Sequence, residues 1–398
     1  MKETDAPAPP AAPKTEAKKP IRIASIDAFR GLVMTLMFAE VLELPRMGVQ
    51  FPDNPFWRLI AFNTQHVPWQ GCSLHDLIQP GFSFLVGISL PFSIANRRAK
   101  GQSFGRLFGH AVWRAMLLVL LGVFLRSLGH RQTNFTFEDT LSQIGLGYAF
   151  LFLLGWTRVR TQMAALAAIL VGYWALFALY PSPTTPSGFP YDYTGFLSHW
   201  NKNTNPAWAF DTWFLNLFPR EKPFVANGGG YATLSFIPTL GTMILGLLAG
   251  EWLKHPGAPR TKLRGLAAGG AALAFLGLLC QWLHICPIVK RIWTPAWTLY
   301  SGGLVVLILA GLYAVMEWKG WKRWSFPLMV VGMNSIAIYF MSWTMKPFVE
   351  DAITRTFGMG PFGILGPAYE KVLLGAAVMV VFWLILYWMY RRKIFLRI

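Results

Sequence analysis

The chain has 398 residues, of which 54% are hydrophobic, 15% aromatic and only 14% charged, and its mean hydropathy is +0.41. A soluble domain carries roughly 25% charged residues, so this composition excludes an ordinary soluble protein and indicates an integral membrane protein. The formal charge of +18 does not predict nucleic-acid binding, because the cations lie between apolar segments rather than in one patch.

Residues 1–21 are rich in alanine, proline and lysine and have almost no large apolar side chains. Such a segment cannot bury a core, so we predict a disordered basic N-terminal tail. No apolar core with a cleavage site precedes Arg22, and the first apolar helix is expected to direct insertion itself. Residues 22–398 are predicted to form one membrane domain.

Ten apolar segments follow, each close to the ~20 residues that a helix needs to cross the hydrocarbon core. They span residues 25–44, 74–95, 107–128, 138–156, 162–180, 232–252, 265–284, 296–316, 325–345 and 371–390. We therefore predict an all-α, polytopic bundle of about ten transmembrane helices. If the segments alternate sides, 22 lysines and arginines lie on the side of the N-terminus and 12 on the other. Both termini are therefore expected to be cytoplasmic.

The first apolar segment begins with Ser25-Ile26-Asp27-Ala28-Phe29-Arg30-Gly31. Asp27 and Arg30 are three residues apart and therefore share one helix face. In one interpretation Ser25 or Asp27 caps the helix and Asp27 forms a local ion pair. In the other, Arg30 helps an anionic cofactor to enter from the cytoplasm.

The stretch from Gln65 to Pro80 places His66, His75 and Asp76 where the chain enters the second apolar segment. Ionisable groups at membrane depth are costly and are usually kept for function. Histidine titrates near neutral pH, so His66 is a candidate general base or nucleophile. Asp76 is a candidate partner for the other ring nitrogen of His66. The alternative is an ordinary histidine at the membrane interface.

Two long extracytoplasmic loops are predicted, at residues 45–73 and 181–231, and both are rich in aromatic residues. Aromatic faces next to amides and carboxylates suit a sugar, although the same residues also form interfacial belts. The hairpin between the seventh and eighth segments carries Lys290 and Arg291, which break the positive-inside trend. These cations either bind an anionic substrate or pair with loop carboxylates.

Polar residues and glycines within the later segments predict helix–helix contacts. Asn334 lies in the ninth segment, where hydrogen bonding to another helix is the commoner use of such a residue. Gly241, Gly246 and Gly250 in the sixth segment predict close helix packing. The sequence has no metal-spaced His/Cys set, glycine-rich nucleotide loop or Gly-x-Ser-x-Gly motif, so we expect no metal enzyme, ATPase or serine hydrolase.

Taken together, the motifs resemble the transmembrane acyltransferases related to heparan-alpha-glucosaminide N-acetyltransferase. The resemblance extends over about residues 22–345. It rests on an ordered set of motifs, namely Ser25 to Gly31, His66 with Trp69-Gln70-Gly71, Asp76 to Pro80 with Phe82, Phe84 and Gly87, Lys290 with Trp293-Thr294, and Met333-Asn334-Ser335. It implies transfer of an acetyl group from cytoplasmic acetyl-CoA to an amino sugar on the far side of the membrane.

The same resemblance implies roles for individual residues. His66 matches the family's active histidine, as a base or a transient acyl carrier, and Asp76 would orient it. Asp27 and Arg30 would help to build the cytoplasmic entrance for acetyl-CoA, and no metal is implied. The residues expected at the acceptor site are Glu40, Trp69, Lys290, Trp293 and Asn334.

Two departures from the family pattern leave the acceptor and the acyl donor open. Val41 stands where family members often have asparagine, and the adjacent Glu40 is the candidate substitute. Ser142-Gln143 replaces a Gln-Arg pair in the fourth segment. Two alternatives to an acyltransferase therefore remain. One is an inactive scaffold, and the other is a proton-coupled transporter of an anionic sugar or lipid that uses Glu40, Asp76 and His66 as a relay.

The expected partners are acyl-CoA, a saccharide acceptor and membrane lipid, without nucleic acid, and a homodimer stays open. The absence of a sorting signal and of a large luminal N-terminal domain favours a bacterial inner membrane. The sequence does not decide between an amine and a hydroxyl acceptor.

Overall fold

Helices make up most of the described chain, which comprises residues 23–181 and 188–396 of a computed structural model. The predicted tail at residues 1–21 lies outside the described residues. Within the described ranges there is no β-strand, and Gln70 and Val289 form an isolated bridge, so the all-α class is confirmed. The α-helices are α1 (Ala24–Phe38), α2 (Pro45–Gln50), α3 (Pro55–Asn63), α4 (Ile78–Ala99), α5 (Phe104–Ser127), α6 (Thr140–Leu154), α7 (Val159–Ala178), α8 (Pro206–Phe214), α9 (Phe236–Lys254), α10 (Pro259–Trp282), α11 (Pro295–Tyr313), α12 (Phe326–Met333), α13 (Ser335–Thr344), α14 (Lys346–Phe357) and α15 (Glu370–Arg391).

Seven helical segments of the described residues are long and apolar enough to cross a membrane, and they contain α4, α5, α7, α9, α10, α11 and α15. Helices α12 and α13 make an eighth span if they are taken together, although their axes are bent by 65°. The other two predicted segments correspond to α1 and α6, which have 15 residues each. All ten predicted segments are helical, but the number of spans and the side that each terminus faces stay predictions.

The start of α1 differs from the predicted cap. The N-cap residue is Ile23, and no side chain caps the helix, so the prediction of a cap by Ser25 or Asp27 is wrong. The Ser25 amide instead donates to Glu317 Oε1 at 3.2 Å, in the π-helical turn that follows α11. The predicted ion pair is present, since Arg30 Nη1 lies 3.5 Å from Asp27 Oδ1. A long-range acceptor thus replaces the local cap that the spacing suggested.

The predicted continuous helix over residues 325–345 is broken at Asn334. This residue has φ −126° and ψ 44°, outside the helical region. Its side-chain amide donates to Ile394 O at 3.0 Å, and its side-chain oxygen accepts from the Leu396 amide at 3.1 Å. The prediction of one continuous helix is wrong, because the Asn334 side chain bonds backbone groups of a distant segment, which an apolar pattern does not report.

Helices α4 and α9 pack closely through glycines. A Cβ added at Gly246 would overlap the carbonyl of Phe84, and one at Gly250 would lie 2.6 Å from a backbone oxygen of α4. Gly87 of α4 meets a backbone carbonyl of α9 in the same way, whereas Gly241 meets only side chains, at 3.4 Å. The predicted close packing is therefore confirmed at Gly246 and Gly250. It fixes the position of α4, whose first turn continues the loop that carries His66.

The two long loops contain short helices, α2 and α3 in residues 45–73 and α8 in residues 181–231. Their aromatic residues pack together with the hairpin between α10 and α11. The largest buried members of this aromatic cluster are Trp69, Trp200, Trp293 and Trp297. The cluster holds the hairpin against the loop that leads into α4.

Replacement of Gly87 by alanine tests the contact between α4 and α9. Alanine favours a helix over glycine by about 1 kcal/mol, but overpacking against a backbone costs about 1–3 kcal/mol. We expect Gly87→Ala to lower the midpoint of thermal unfolding in detergent, followed by tryptophan fluorescence. Gly109→Ala is the matched control, because a Cβ at this position of α5 meets open space, and it should keep or raise the midpoint. Equal midpoints for the two variants would contradict the contact.

Candidate active site

The buried carboxylate of Asp76 organises the loop before α4, and its side chain is only 1% exposed. Its Oδ2 accepts hydrogen bonds from the amides of Val67 and Ser73, at 3.2 and 3.1 Å. The Ser73 hydroxyl lies 3.0 Å from the same oxygen. Such donors stabilise a charged carboxylate. Asp76 therefore holds both ends of the loop and leaves Oδ1 for other partners.

His66 is the first partner of that second oxygen. Its Nδ1 lies 2.8 Å from Asp76 Oδ1. A carboxylate only accepts hydrogen bonds, so we assign the ring proton to Nδ1, which leaves a lone pair on Nε2. Nε2 has no hydrogen-bond partner among the residues that the structure describes, and 39% of the side chain is exposed. Asp76 thus holds the ring through Nδ1, and Nε2 is available to accept a proton.

Lys290 is the second partner of Asp76 Oδ1. Its Nζ donates to this oxygen at 3.1 Å and lies 3.0 Å from His66 Nδ1, while its side chain is 5% exposed. The hairpin that carries Lys290 is fixed to the loop, because the Gly71 amide donates to Ile288 O at 3.1 Å. Of the two uses that the sequence left open for Lys290, the structure has the pairing with a carboxylate.

The surroundings of His66 favour its neutral form. Burial lowers the pKa of His66 below its usual value, and the Lys290 cation acts in the same direction, while Asp76 opposes both. Burial also lowers the pKa of Lys290, against the effect of Asp76. A neutral imidazole at pH 7 with a lone pair on Nε2 can accept a proton or attack a carbonyl carbon.

His75 lies against His66 but has a different partner. The two ring centroids are 4.6 Å apart, and His75 Nε2 lies 2.9 Å from Glu40 Oε1. Glu40 follows α1 in a 3-10 turn, and its side chain is 61% exposed. The neighbouring Val41 is buried against α15, so Glu40 is the residue of this turn that offers a polar side chain next to His75.

A cavity of about 350 Å³ contains these groups, and we call it the histidine cavity. Its polar or ionisable lining residues are Glu40, His66, His75, Gln79, Arg126, Glu138, Asp139, Thr140, Tyr231, Lys290, Tyr339, Ser342 and Lys346. Four of these lining residues were not among the candidates from the sequence, namely Arg126, Glu138, Asp139 and Lys346. Two features of the sequence could have indicated them. Glu138 and Asp139 are adjacent acidic residues just before α6, and Arg126 and Lys346 are cations on the predicted outer side, where few cations are expected.

A second cavity of about 600 Å³ is lined by three arginines, and we call it the arginine cavity. Its charged lining residues are Asp27, Arg30, Arg97 and Arg114. Arg30 Nη2 donates to Ser89 Oγ at 3.1 Å, in addition to its pair with Asp27. The structure therefore brings Asp27 and Arg30, the two predicted cofactor residues, together on one cavity wall, beside Arg97 and Arg114, which the sequence did not indicate as site residues.

The two cavities are neighbours and share part of their walls. Phe82 of α4, Thr140 of α6 and Tyr339 of α13 line both. The arginine cavity includes Arg97 from the last turn of α4, whereas the histidine cavity includes residues at the first turn of the same helix. The pair of cavities therefore follows α4 from one end to the other.

Three predicted acceptor residues lie outside the cavity linings. The Trp69 indole donates to Trp200 O at 3.2 Å, and the Trp293 indole donates to Thr242 Oγ1 at 3.1 Å. Both rings are buried in the aromatic cluster, and Asn334 is bonded to the segment after α15 as described above. Among the described residues no group of three His, Cys, Asp or Glu side chains is placed to hold a metal ion.

The sequence is similar to two curated acetyltransferases. Over 435 residues it is 25% identical to human heparan-alpha-glucosaminide N-acetyltransferase, with 95% of this chain and 60% of the relative covered. Over 375 residues it is 23% identical to the mouse heparan-alpha-glucosaminide N-acetyltransferase, with 82% and 54% covered. The chain thus spans somewhat more than half the length of these relatives. No family model matches it.

The likeness confirms the resemblance to an acyltransferase family that the motifs indicated. Together with the apolar helices, it supports a membrane-bound transferase. It does not favour the alternative of a proton-coupled transporter, because both relatives are named as transferases.

The titration of His66 tests the electrostatics of the site. We expect its pKa to lie below the usual value of about 6.5, measured by histidine-selective ¹⁵N NMR in detergent and assigned by the resonance lost in His66→Gln. Lys290→Met should raise this pKa, because it removes a cation beside the ring and leaves Asp76 to favour the protonated form.

Lys346→Met is the control for the loss of a lysine from the histidine cavity, because Lys346 lies near Glu350, at 3.8 Å. This variant should shift the His66 titration less than Lys290→Met does. An unchanged or lower pKa in Lys290→Met would contradict the arrangement.

Proposed function

We propose that this protein transfers an acyl group from acyl-CoA to a saccharide on the other side of the membrane, and that the acyl group is acetyl. The proposal follows from the similarity of the chain to heparan-alpha-glucosaminide N-acetyltransferase. The observation that carries this proposal is the pair of adjacent cavities with unlike chemistry. The arginine cavity suits a polyanionic donor. The histidine cavity holds a neutral imidazole and several carboxylates, which suit a polar acceptor.

The donor would enter from the cytoplasm through the arginine cavity. In the proposed orientation this end of α4 faces the side with more lysines and arginines, and both termini are on that side. Arg30 would contact the donor, and Asp27 and Ser89 would hold its guanidinium in place. The thioester would then approach Phe82 and Tyr339, which line both cavities.

His66 would act at the point of transfer. As the amine or hydroxyl of the acceptor attacks the thioester carbon, a C–N or C–O bond forms and the C–S bond breaks. Nε2 takes the acceptor's proton and passes it to the CoA thiolate, while Nδ1–H stays bonded to Asp76. In the second version of the step, Nε2 itself attacks the thioester carbon, the C–S bond breaks, and CoA leaves as the thiolate. The acceptor then attacks the acyl-imidazole, the bond to Nε2 breaks, and the acceptor's proton passes to the thiolate.

The acceptor would bind in the histidine cavity. The Glu40 carboxylate is paired with His75 and largely exposed, so it can accept hydrogen bonds from the amino or hydroxyl groups of a sugar. Lys290 would act mainly on His66 and Asp76. Trp69 and Trp293 would fix the loops around the cavity without contacting the acceptor themselves.

The release of CoA thiol tests this function directly. Purified protein in detergent is given acetyl-CoA and glucosamine-type acceptors, and the free thiol and the acetylated sugar are both quantified. We expect His66→Ala to lower the transfer rate by about 10²–10⁴-fold, the usual contribution of a general base. Asp76→Asn should also lower kcat, because an amide no longer fixes the required tautomer.

His130→Ala is the matched control, since this histidine is exposed and lies in the loop between α5 and α6. It should keep the wild-type rate. Thermal unfolding and acetyl-CoA binding are measured for each variant, so that a loss of fold is distinguished from a loss of chemistry. Full activity of His66→Ala would remove the residue assignment, and no transfer by the wild type with any acyl donor would remove the function.

A further inference from the structure

Arg114 lies at membrane depth, and none of the described carboxylates is paired with it. It lies ten residues after Phe104, the start of α5, which is about 15 Å along the helix axis. Its Nη1 donates to the Tyr148 hydroxyl at 3.3 Å, and its guanidinium carbon lies 4.9 Å from the centre of that ring. Its Nε is buried without a hydrogen-bond partner, and no ion pair joins it to a described carboxylate. Such a cation is costly unless an anion joins it.

Arg97 lines the arginine cavity together with Arg114. It stands in the last turn of α4 and is exposed. Arg97 and Arg114 also line an adjoining cavity of about 230 Å³, together with Ser93 and Tyr148. Within the described part of the chain Arg97 forms no ion pair with an acidic residue, whereas Arg30 is paired with Asp27. The uncompensated positive charge of the arginine cavity therefore lies on the side of Arg97 and Arg114.

We propose that Arg97 and Arg114 form a binding site for phosphate esters, and that the phosphates are those of the nucleotide part of acyl-CoA. The assignment to acyl-CoA rests on the proposed function, and it adds the residues that recognise the donor. A planar guanidinium binds a phosphate through two parallel hydrogen bonds, and the unpaired Nε of Arg114 offers one of the two donors. Bound phosphate would supply the missing countercharge at this depth.

Binding of the free cofactor tests the site without any catalytic step. The affinities of CoA, 3′-dephospho-CoA and pantetheine are measured by titration calorimetry in detergent. We expect Arg114→Met and Arg97→Met each to weaken CoA binding by about tenfold or more and to leave pantetheine unchanged. Arg106→Met is the matched control on the exposed face of α5 and should bind CoA as the wild type does.

Arg114→Gln is measured beside Arg114→Met, because it removes the charge but keeps a hydrogen-bonding group, so that agreement between two folded variants excludes a loss of fold. Unchanged CoA affinity in the folded variants would overturn the proposal. Equal weakening of CoA and pantetheine would overturn it as well, since the arginines would then only shape the cavity.

Lipid headgroups also carry phosphate esters, so a second experiment distinguishes lipid from CoA as the ligand. Wild type and Arg114→Gln are compared in nanodiscs of phosphatidylcholine alone and with phosphatidylglycerol, and thermal unfolding is followed with and without CoA. We expect CoA to stabilise the wild type in both lipids and Arg114→Gln much less. Dependence of the phosphatidylglycerol effect on Arg114, without any effect on CoA binding, would assign the site to lipid and overturn the assignment to acyl-CoA.

Failure of this site and failure of the proposed function are distinguishable. With S-acetylpantetheine, which lacks the phosphates, Arg114→Gln should transfer at the wild-type rate, while its KM for acetyl-CoA rises about tenfold or more. If the wild type binds CoA through Arg114 but transfers nothing, the function fails and the site stands. If transfer proceeds and Arg114→Gln has the wild-type KM, the site fails and the function stands.

Discussion

The buried carboxylate of Asp76 is the interaction on which the rest of the site depends. One oxygen closes the loop by accepting from two backbone amides, and the other holds His66 and Lys290. A carboxylate that is only 1% exposed keeps its charge because donors and a cation surround it. The same contacts that make its burial tolerable also orient the imidazole, so the fold of the loop and the orientation of His66 have one origin.

A membrane bundle normally excludes polar space from its interior, and this one keeps two polar cavities along a single helix. One face of α4 packs closely against α9, which fixes the position of α4, and other faces of α4 line the two cavities. Phe82 and Tyr339 lie where the two spaces meet. Under the proposed function, these two aromatic residues lie on the route by which the thioester of the donor would reach His66.

The sequence was sufficient for the helical class and the position of every apolar segment, because hydropathy is a local property. It also gave His66 and Asp76 as a candidate pair, but ten residues of separation could not show that both oxygens of Asp76 are used. It missed the break at Asn334, whose partners are 60 residues away or more. Arg97 and Arg114 were overlooked for a related reason. Arg97 lies near the end of α4, where a cation predicts orientation in the membrane, whereas Arg114 lies within an apolar segment, and only the fold brings the two arginines to one cavity.

The bonds between Asn334 and the segment after α15 connect a remote part of the chain to the arginine cavity. Leu396, whose amide is held by Asn334, also lines the arginine cavity, as do Gly332, Met333 and Ser335 around the break. An affinity tag or fluorescent protein fused directly to this segment would therefore pull on a cavity wall. A fusion at that position requires a spacer long enough to leave the backbone of Leu396 in its place.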